Sequence, residues 1–254
     1  MAYDFYKNTI SGICAGTIEV LLMQPTIYYK NASQQKLGNT INPSILYRGL
    51  TMSVINMSVL TGTQFPISNI ISKMILQDNN RTLTDKEKIV SGFGAGLFSG
   101  IICAPMELVM IQQQKYGGNI FNTPLRIKNK LMRGFSTSSM REGIYTTGYI
   151  GLTPVLSKYF KKNYNIENNI SKISGAICAG FISSTLSQPI DTIKTCMQGD
   201  IEQKKYTTTI NTARTLIREN GLIRLYRGWG WRTGRIMCAM FIINECKERF
   251  SIFF

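Results

Sequence analysis

The segment TLSQPIDTIKTCMQ, residues 185–198, sets Pro189, Asp191, Lys194 and Gln198 at the end of an apolar run, ISGAICAGFI. Acid and base three residues apart lie on neighbouring parts of one helical face. Charges inside an apolar helix are costly unless they are paired or face a water-filled interior. The chemistry open to this set is therefore ion pairing within a membrane-type helix. Acid–base catalysis is a poor match, because the chain has no histidine, which also removes the usual zinc sites. No nucleophile–base set or metal cluster stands out, so no cofactor or metal is expected and an enzyme is the least favoured class.

The elements that must position these residues recur. Pro25 in LLMQPTIYYKNASQ and Pro105 in IICAPMELVMIQQQ stand in the same setting as Pro189, 80 and 84 residues apart. Nine residues before each proline is a glycine (Gly16, Gly96, Gly180), and nine after it a glutamine (Gln34, Gln114, Gln198). Gly12, Gly92 and Ala176 precede those glycines by four, giving small-xxx-small pairs that allow close helix approach in lipid. A basic residue and a glycine then open a second apolar segment in YRGL, MRGF and YRGW. Three landmarks in a shared order define three units of about 80–85 residues each. The pattern predicts helices over 8–36, 50–76, 87–115, 135–160, 171–198 and 229–250, each long enough for a bilayer of about 30 Å. TTTINTARTLIRENG (207–221) reads as an amphipathic surface helix.

Composition fits a water-lined membrane protein: 44% hydrophobic and 17% charged residues, with a mean hydropathy of −0.02. The net charge of +15 would attract anionic lipid or anionic solutes. It falls mainly between the apolar runs and comes with no nucleic-acid recognition motif, which argues against nucleic acid. The six cysteines are scattered, and Cys14 and Cys178 read as small packing residues in a reducing setting. MAYDFYKNTI is neither an amphipathic presequence nor a signal peptide, so no cleavable leader is expected.

On these residues the chain resembles the mitochondrial carrier family over its whole length. The family signature is P-x-[DE]-x-x-[KR], followed by an aromatic-basic-Gly triplet, three times over. PIDTIK matches fully, PMELVM lacks the base and PTIYYK lacks the acid. The resemblance implies an all-α membrane protein of six transmembrane helices in three pseudo-threefold repeats, with short amphipathic matrix-side helices. The repeats would be 1–85, 86–168 and 169–254, forming one transport domain. It further implies a central cavity, alternating access, termini toward the intermembrane space, and a monomer in the mitochondrial inner membrane. A short, loop-poor carrier is also compatible with a virus or parasite acting in a host organelle.

In the family the acid of each repeat pairs with the base of the next and closes the matrix side, with Pro25, Pro105 and Pro189 kinking the helices. Carried over, Glu107 pairs with Lys194 and Asp191 with Lys30, while Ile27 meets Met110. Both missing charges thus fall on one partnership, which avoids a stranded charge costing about 2.5–3.5 kcal/mol. The plainer alternative, loop charges beyond helix ends, does not explain the triplicated proline context. Gln34, Gln114 and Gln198 take the family's bracing positions. The opposite gate would use Asn69, Pro154 and Glu248 with Ser72, Ser157 and Ser251, which can form no ion pair. The resting cavity is therefore expected to open to the cytosolic side. Dominant labelling from the matrix side of ligand-free protein would contradict that expectation.

The resemblance places cardiolipin at Arg48–Gly49, Arg133–Gly134 and Arg227–Gly228, where helix N-termini favour a phosphate; a plain helix start is the alternative. It places substrate contacts seven residues beyond those glycines, at Asn56, Arg141–Glu142 and Arg235. Arg232, one turn earlier, and Glu19 are expected beside them. A guanidinium matches carboxylate or phosphate with two hydrogen bonds. Arginine binding a carboxylate while Glu142 or Glu19 binds an amine favours an anionic or zwitterionic, amino-acid-like solute. Gly143–Ile144 leaves nucleotide or deoxynucleotide exchange open, and a non-transporting scaffold remains a third class.

Overall fold

Long helices follow from the scarcity of breakers inside the apolar runs, and each begins or ends where the local chemistry requires it. The computed structural model describes residues 2–38, 40–77, 81–164 and 167–239. Its elements are α1 (Ala2–Gln35), α2 (Pro43–Leu46), α3 (Leu50–Leu76), α4 (Asp85–Tyr116) and α5 (Asn122–Ile127). Then come α6 (Phe135–Thr146), α7 (Thr153–Tyr164), α8 (Asn168–Gly199), α9 (Thr209–Asn220) and α10, described over 229–239. There is no strand among the described residues. The end of the sixth predicted helix, including Glu248 and Ser251, lies outside them.

Start signals are explicit. Thr84 and Glu87 form a reciprocal capping box at α4, and Arg81 holds the Glu87 carboxylate through two bonds of 2.7 Å. Thr208 caps α9, the expected amphipathic segment. The predicted helix 135–160 is longer than expected and is not uniform. A π-helical turn, Thr147–Leu152, joins α6 to α7, at a segment holding Gly148 and Gly151 just before Pro154.

The glycines after the three arginines share one conformation. Gly49, Gly134 and Gly228 have φ of 77°, 74° and 82°, a left-handed region that suits glycine, and they precede α3, α6 and α10. Each lies against a helix from another unit. A Cβ at Gly49 would meet the Met110 carbonyl of α4, one at Gly134 the Gln198 side chain of α8, and one at Gly228 the Lys30 carbonyl of α1. The glycines nine before each proline pack within their own unit: Gly16 on Met57, Gly96 on Glu142 and Gly143, Gly180 on Ile236.

Pro25, Pro105 and Pro189 all lie inside continuous helices. One expectation changes in degree. Among the described residues only α4 is both long and apolar enough to pass a hydropathy test for a membrane span. The other long helices carry buried polar faces, such as Glu19, Gln24 and Asn31 on α1 and Ser183, Ser187 and Gln188 on α8. Those faces lower the average while apolar side chains such as Leu22, Phe65 and Leu186 stay exposed. Cys14, expected to be a packing residue, is exposed.

Candidate functional site

The four signature charges meet at one level of the helix assembly. Lys30 Nζ of α1 lies 2.8 Å from Asp191 Oδ2, and Gln34 donates to the same oxygen at 2.9 Å. Lys194 Nζ lies 3.2 Å from Glu107 Oε2 and 3.5 Å from Asp191 Oδ1. Arg141 enters this cluster as well. Its guanidinium is 2.5 Å from Glu107, 2.6 Å from Glu142 and 3.7 Å from Asp191. Ser138, one turn before Arg141, donates to Glu107. Glu107, Asp191 and Lys194 are all at most 5% exposed, so water screens these contacts little.

Beside the charges lies an apolar patch. Ile27 and Met110 pack in one buried cluster with Met52, Leu108, Val109, Ile111 and Ile127. The glutamines differ from expectation. Gln34 alone of the three touches a signature acid; Gln114 accepts from Asn31 at 2.6 Å, and Gln198 donates to the Arg133 carbonyl at 3.4 Å. The reason is local. Above Gln114 the partnership is apolar, and the oxygens of Glu107 are already engaged by Arg141, Lys194 and Ser138.

The second cluster joins α1, α3, α6, α8 and α10. Arg235 holds Glu19 through two bonds, 2.9 and 3.1 Å. Gln64 donates to Glu142 at 2.8 Å. Arg232 donates to Ser187 at 2.8 Å and Gln188 at 3.3 Å, with the Tyr145 ring centroid 5.8 Å away. Asn56 has a buried side-chain oxygen with no hydrogen-bond partner. Sequence reasoning assigned the arginines to a solute carboxylate and Glu142 or Glu19 to its amine. In this structure Arg141 and Arg235 neutralise the chain's own carboxylates, because an isolated buried charge would be costly.

Sequence comparison shows what the chain is similar to. A family profile described as "Mitochondrial carrier protein" matches residues 167–254. A probable mitochondrial 2-oxodicarboxylate carrier of Dictyostelium discoideum is 27% identical over 251 residues, covering 88% of this chain and 83% of its own. Tricarboxylate transport protein B of Danio rerio is 24% identical over 277 residues, with 94% and 86% covered. A mitochondrial glycine transporter of Yarrowia lipolytica is 24% identical over 293 residues, with 96% and 95% covered. Residues 167–254 thus match the carrier profile, and the chain is similar to curated mitochondrial carriers over most of its length.

Several residues of this site escaped sequence reasoning. Gln24 and Gln188, each immediately before a proline, donate at 3.1 Å to the carbonyls of Arg48 and Arg227, ahead of the left-handed glycines. The signal was present as QP in two units, while the third has Ala104. Ser138, Gln64 and Tyr145 carried no repeated signal. At the end of α1 and α9, Glu219 gathers Lys36 at 2.7 Å, Lys205 at 2.6 Å and Arg224 at 3.3 Å. Burial pushes its carboxyl up, but these bonds outweigh that and hold its pKa at about 2.

The triplets differ from one another. Arg133 donates to the carbonyls of Met197, Asp200, Tyr206 and Thr207, so its guanidinium is committed to the loop after α8. A cavity of about 340 Å³ opens beside it, lined by residues including Lys130, Gly134 and Phe135. Of the residues expected at the opposite gate, Asn69 is exposed and Ser72 bonds Ser91 at 2.9 Å. Ser157 bonds the Thr153 carbonyl at 2.8 Å.

Proposed function

We propose that this carrier exchanges a small carboxylate-bearing solute, amino-acid-like by preference, across the mitochondrial inner membrane by alternating access. The observation that carries the reading is the convergence of Arg141, Arg232 and Arg235 with Glu19 and Glu142 inside the helix assembly. Guanidinium groups at that depth recognise carboxylate, and acids beside them suit an ammonium. The same reading takes the chain as six membrane-crossing helices in three repeats, 1–85, 86–168 and 169–254, acting as a multi-pass monomer. Asn56, with its unpaired amide oxygen, completes the substrate set. Relatives named for 2-oxodicarboxylates, tricarboxylates and glycine are consistent with a carboxylate cargo.

Lys30, Glu107, Asp191 and Lys194, with Gln34, act as the matrix-side gate, and Ile27 and Met110 close the third sector without charge. With the serines of the other gate unable to pair, the ligand-free protein rests open to the cytosolic side. Arg48, Arg227 and the backbone at Gly49, Gly134 and Gly228 offer cardiolipin sites, supported by the cavity beside Arg133. Nucleotide exchange is less well supported, because Gly143 is used for packing against Phe93 and the Gly96 backbone. The test is exchange by purified protein in liposomes against amino acids, oxo acids, tricarboxylates and nucleotides. Saturable exchange of a carboxylate solute is expected. Exchange of nucleotides only would replace the reading, and no exchange with no thermal shift would favour a scaffold.

A further inference from the structure

The interior ionic groups do not cancel. Among the described residues, Glu19, Glu107, Glu142 and Asp191 face Lys30, Lys194, Arg141, Arg232 and Arg235, four acids against five bases. Arg235 is satisfied by a two-bond contact with Glu19, which is 1% exposed. Arg141 is satisfied by Glu107 and Glu142, and the two lysines by Asp191 and Glu107. Arg232 is different. Its hydrogen bonds go to a hydroxyl and an amide, and its nearest carboxylate oxygen, on Asp191, is 4.0 Å away and already held by Lys30 and Gln34.

We propose that the interior is set to receive a solute of one net negative charge, with Arg232 as its receptor and Glu19 as the residue that fixes that charge. The inference rests on the carboxylate-carrier reading above. A buried guanidinium whose one acid, Asp191, is 4.0 Å away and shared with Lys30 is incompletely neutralised, and a solute carboxylate supplies the missing charge in two-bond geometry. A simple monocarboxylate satisfies the balance, as does an acidic amino acid, whose second carboxylate is offset by its own ammonium. A dicarboxylate or tricarboxylate without an amine would bring negative charge for which the interior holds no free cation. Selectivity for charge then depends on which arginines are masked. Glu19 masks Arg235, so removing the Glu19 charge opens a second cationic receptor and moves the preference to doubly charged solutes.

The test uses full-length protein in liposomes at neutral pH. Uptake is compared for lactate and glutamate (singly charged), succinate (doubly charged) and citrate (triply charged). Wild type is expected to favour the singly charged pair. Glu19→Gln, which keeps shape, should raise the succinate-to-glutamate ratio by about tenfold or more, the equivalent of 1.4 kcal/mol. Glu19→Gln combined with Arg235→Gln removes both charges and should return the preference to singly charged solutes. Arg232→Gln should abolish uptake of all four, while Arg232→Lys retains the order. Carboxylate uptake with succinate or citrate preferred by wild type overturns this inference alone. So does an unmoved ratio in Glu19→Gln whose melting curve matches wild type. Uptake of none of the four by wild type overturns the carrier reading with it.

Discussion

Replacing Asp191 with asparagine should destabilise the protein far more than replacing Lys30 with methionine, although the two form one contact. Asp191 is 1% exposed and faces Lys30 at 2.8 Å, Lys194 at 3.5 Å, Arg141 at 3.7 Å and Arg232 at 4.0 Å. At an effective dielectric of about 20, the first contact is worth about 6 kcal/mol gross and the others about 4–5 kcal/mol each. Lys30 thus supplies about a third of the attraction on this carboxylate. Without Lys30, three cations and the Gln34 amide still hold Asp191, so the expected net loss is about 1–2 kcal/mol. Without the carboxylate, Lys30 and Arg232 lose their nearest acid, and breaking a buried ionic contact from that side costs about 3–5 kcal/mol. For a chain of this size that corresponds to a fall in apparent Tm of roughly 6–20 °C, against a few degrees for Lys30→Met. Thermal unfolding of both variants in one detergent, with and without cardiolipin, measures the difference. Equal shifts would show that Asp191 belongs to an isolated pair, and the shared-cluster reasoning would fail.

Gly96→Ala should loosen α4 from α6, because a methyl there would sit 2.5 Å from the Glu142 carbonyl oxygen and 2.7 Å from the Gly143 Cα. A loss of about 1–3 kcal/mol is expected, read as a lower Tm, and an unchanged Tm would mean that the helices are not in close contact. Glu219 predicts an acid limit. Its folded pKa of about 2 lies below the ordinary carboxylate value near 4.3, so its stabilisation is complete above that value and is lost as pH falls toward 2. With Lys36 and Lys205 partly exposed, on the order of 1–2 kcal/mol is at stake. Glu219→Gln should flatten the Tm between pH 5 and 3 while lowering it at pH 7, and an unaltered slope would remove Glu219 as the cause.

The repeated landmarks made the long helices legible, because proline, glycine and glutamine recur at fixed offsets and the apolar runs between them have few breakers. The π-helical turn at Thr147–Leu152 was not legible, since only one unit carries it. Nor was the commitment of Arg133 to four carbonyls, which depends on how the loop after α8 folds back. Arg141 is the instructive case. Its position could be counted from Gly134, but a count along one helix does not say which acids on α4 and α8 it reaches. Side-chain length and the approach of α6 to α4, allowed by Gly96 and Gly100, decide that.

Arg141 also changes how closure and cargo relate. A gate made of Lys30–Asp191 and Lys194–Glu107 alone would sit apart from the arginines proposed to bind solute. Here one guanidinium touches Glu107 and Glu142 together, so the charges of the proposed gate and those that neutralise the interior are one connected set. Any solute carboxylate that draws Arg141 toward itself must weaken its hold on Glu107, leaving Lys194 as that acid's one cation beside the Ser138 hydroxyl. The loss of charge at Ile27 and Met110 sharpens the effect, because the apolar sector contributes packing but no ionic attraction that could compensate. On the proposed gate reading, a small rearrangement at one side chain would therefore act on a closure held by two ionic partnerships rather than three.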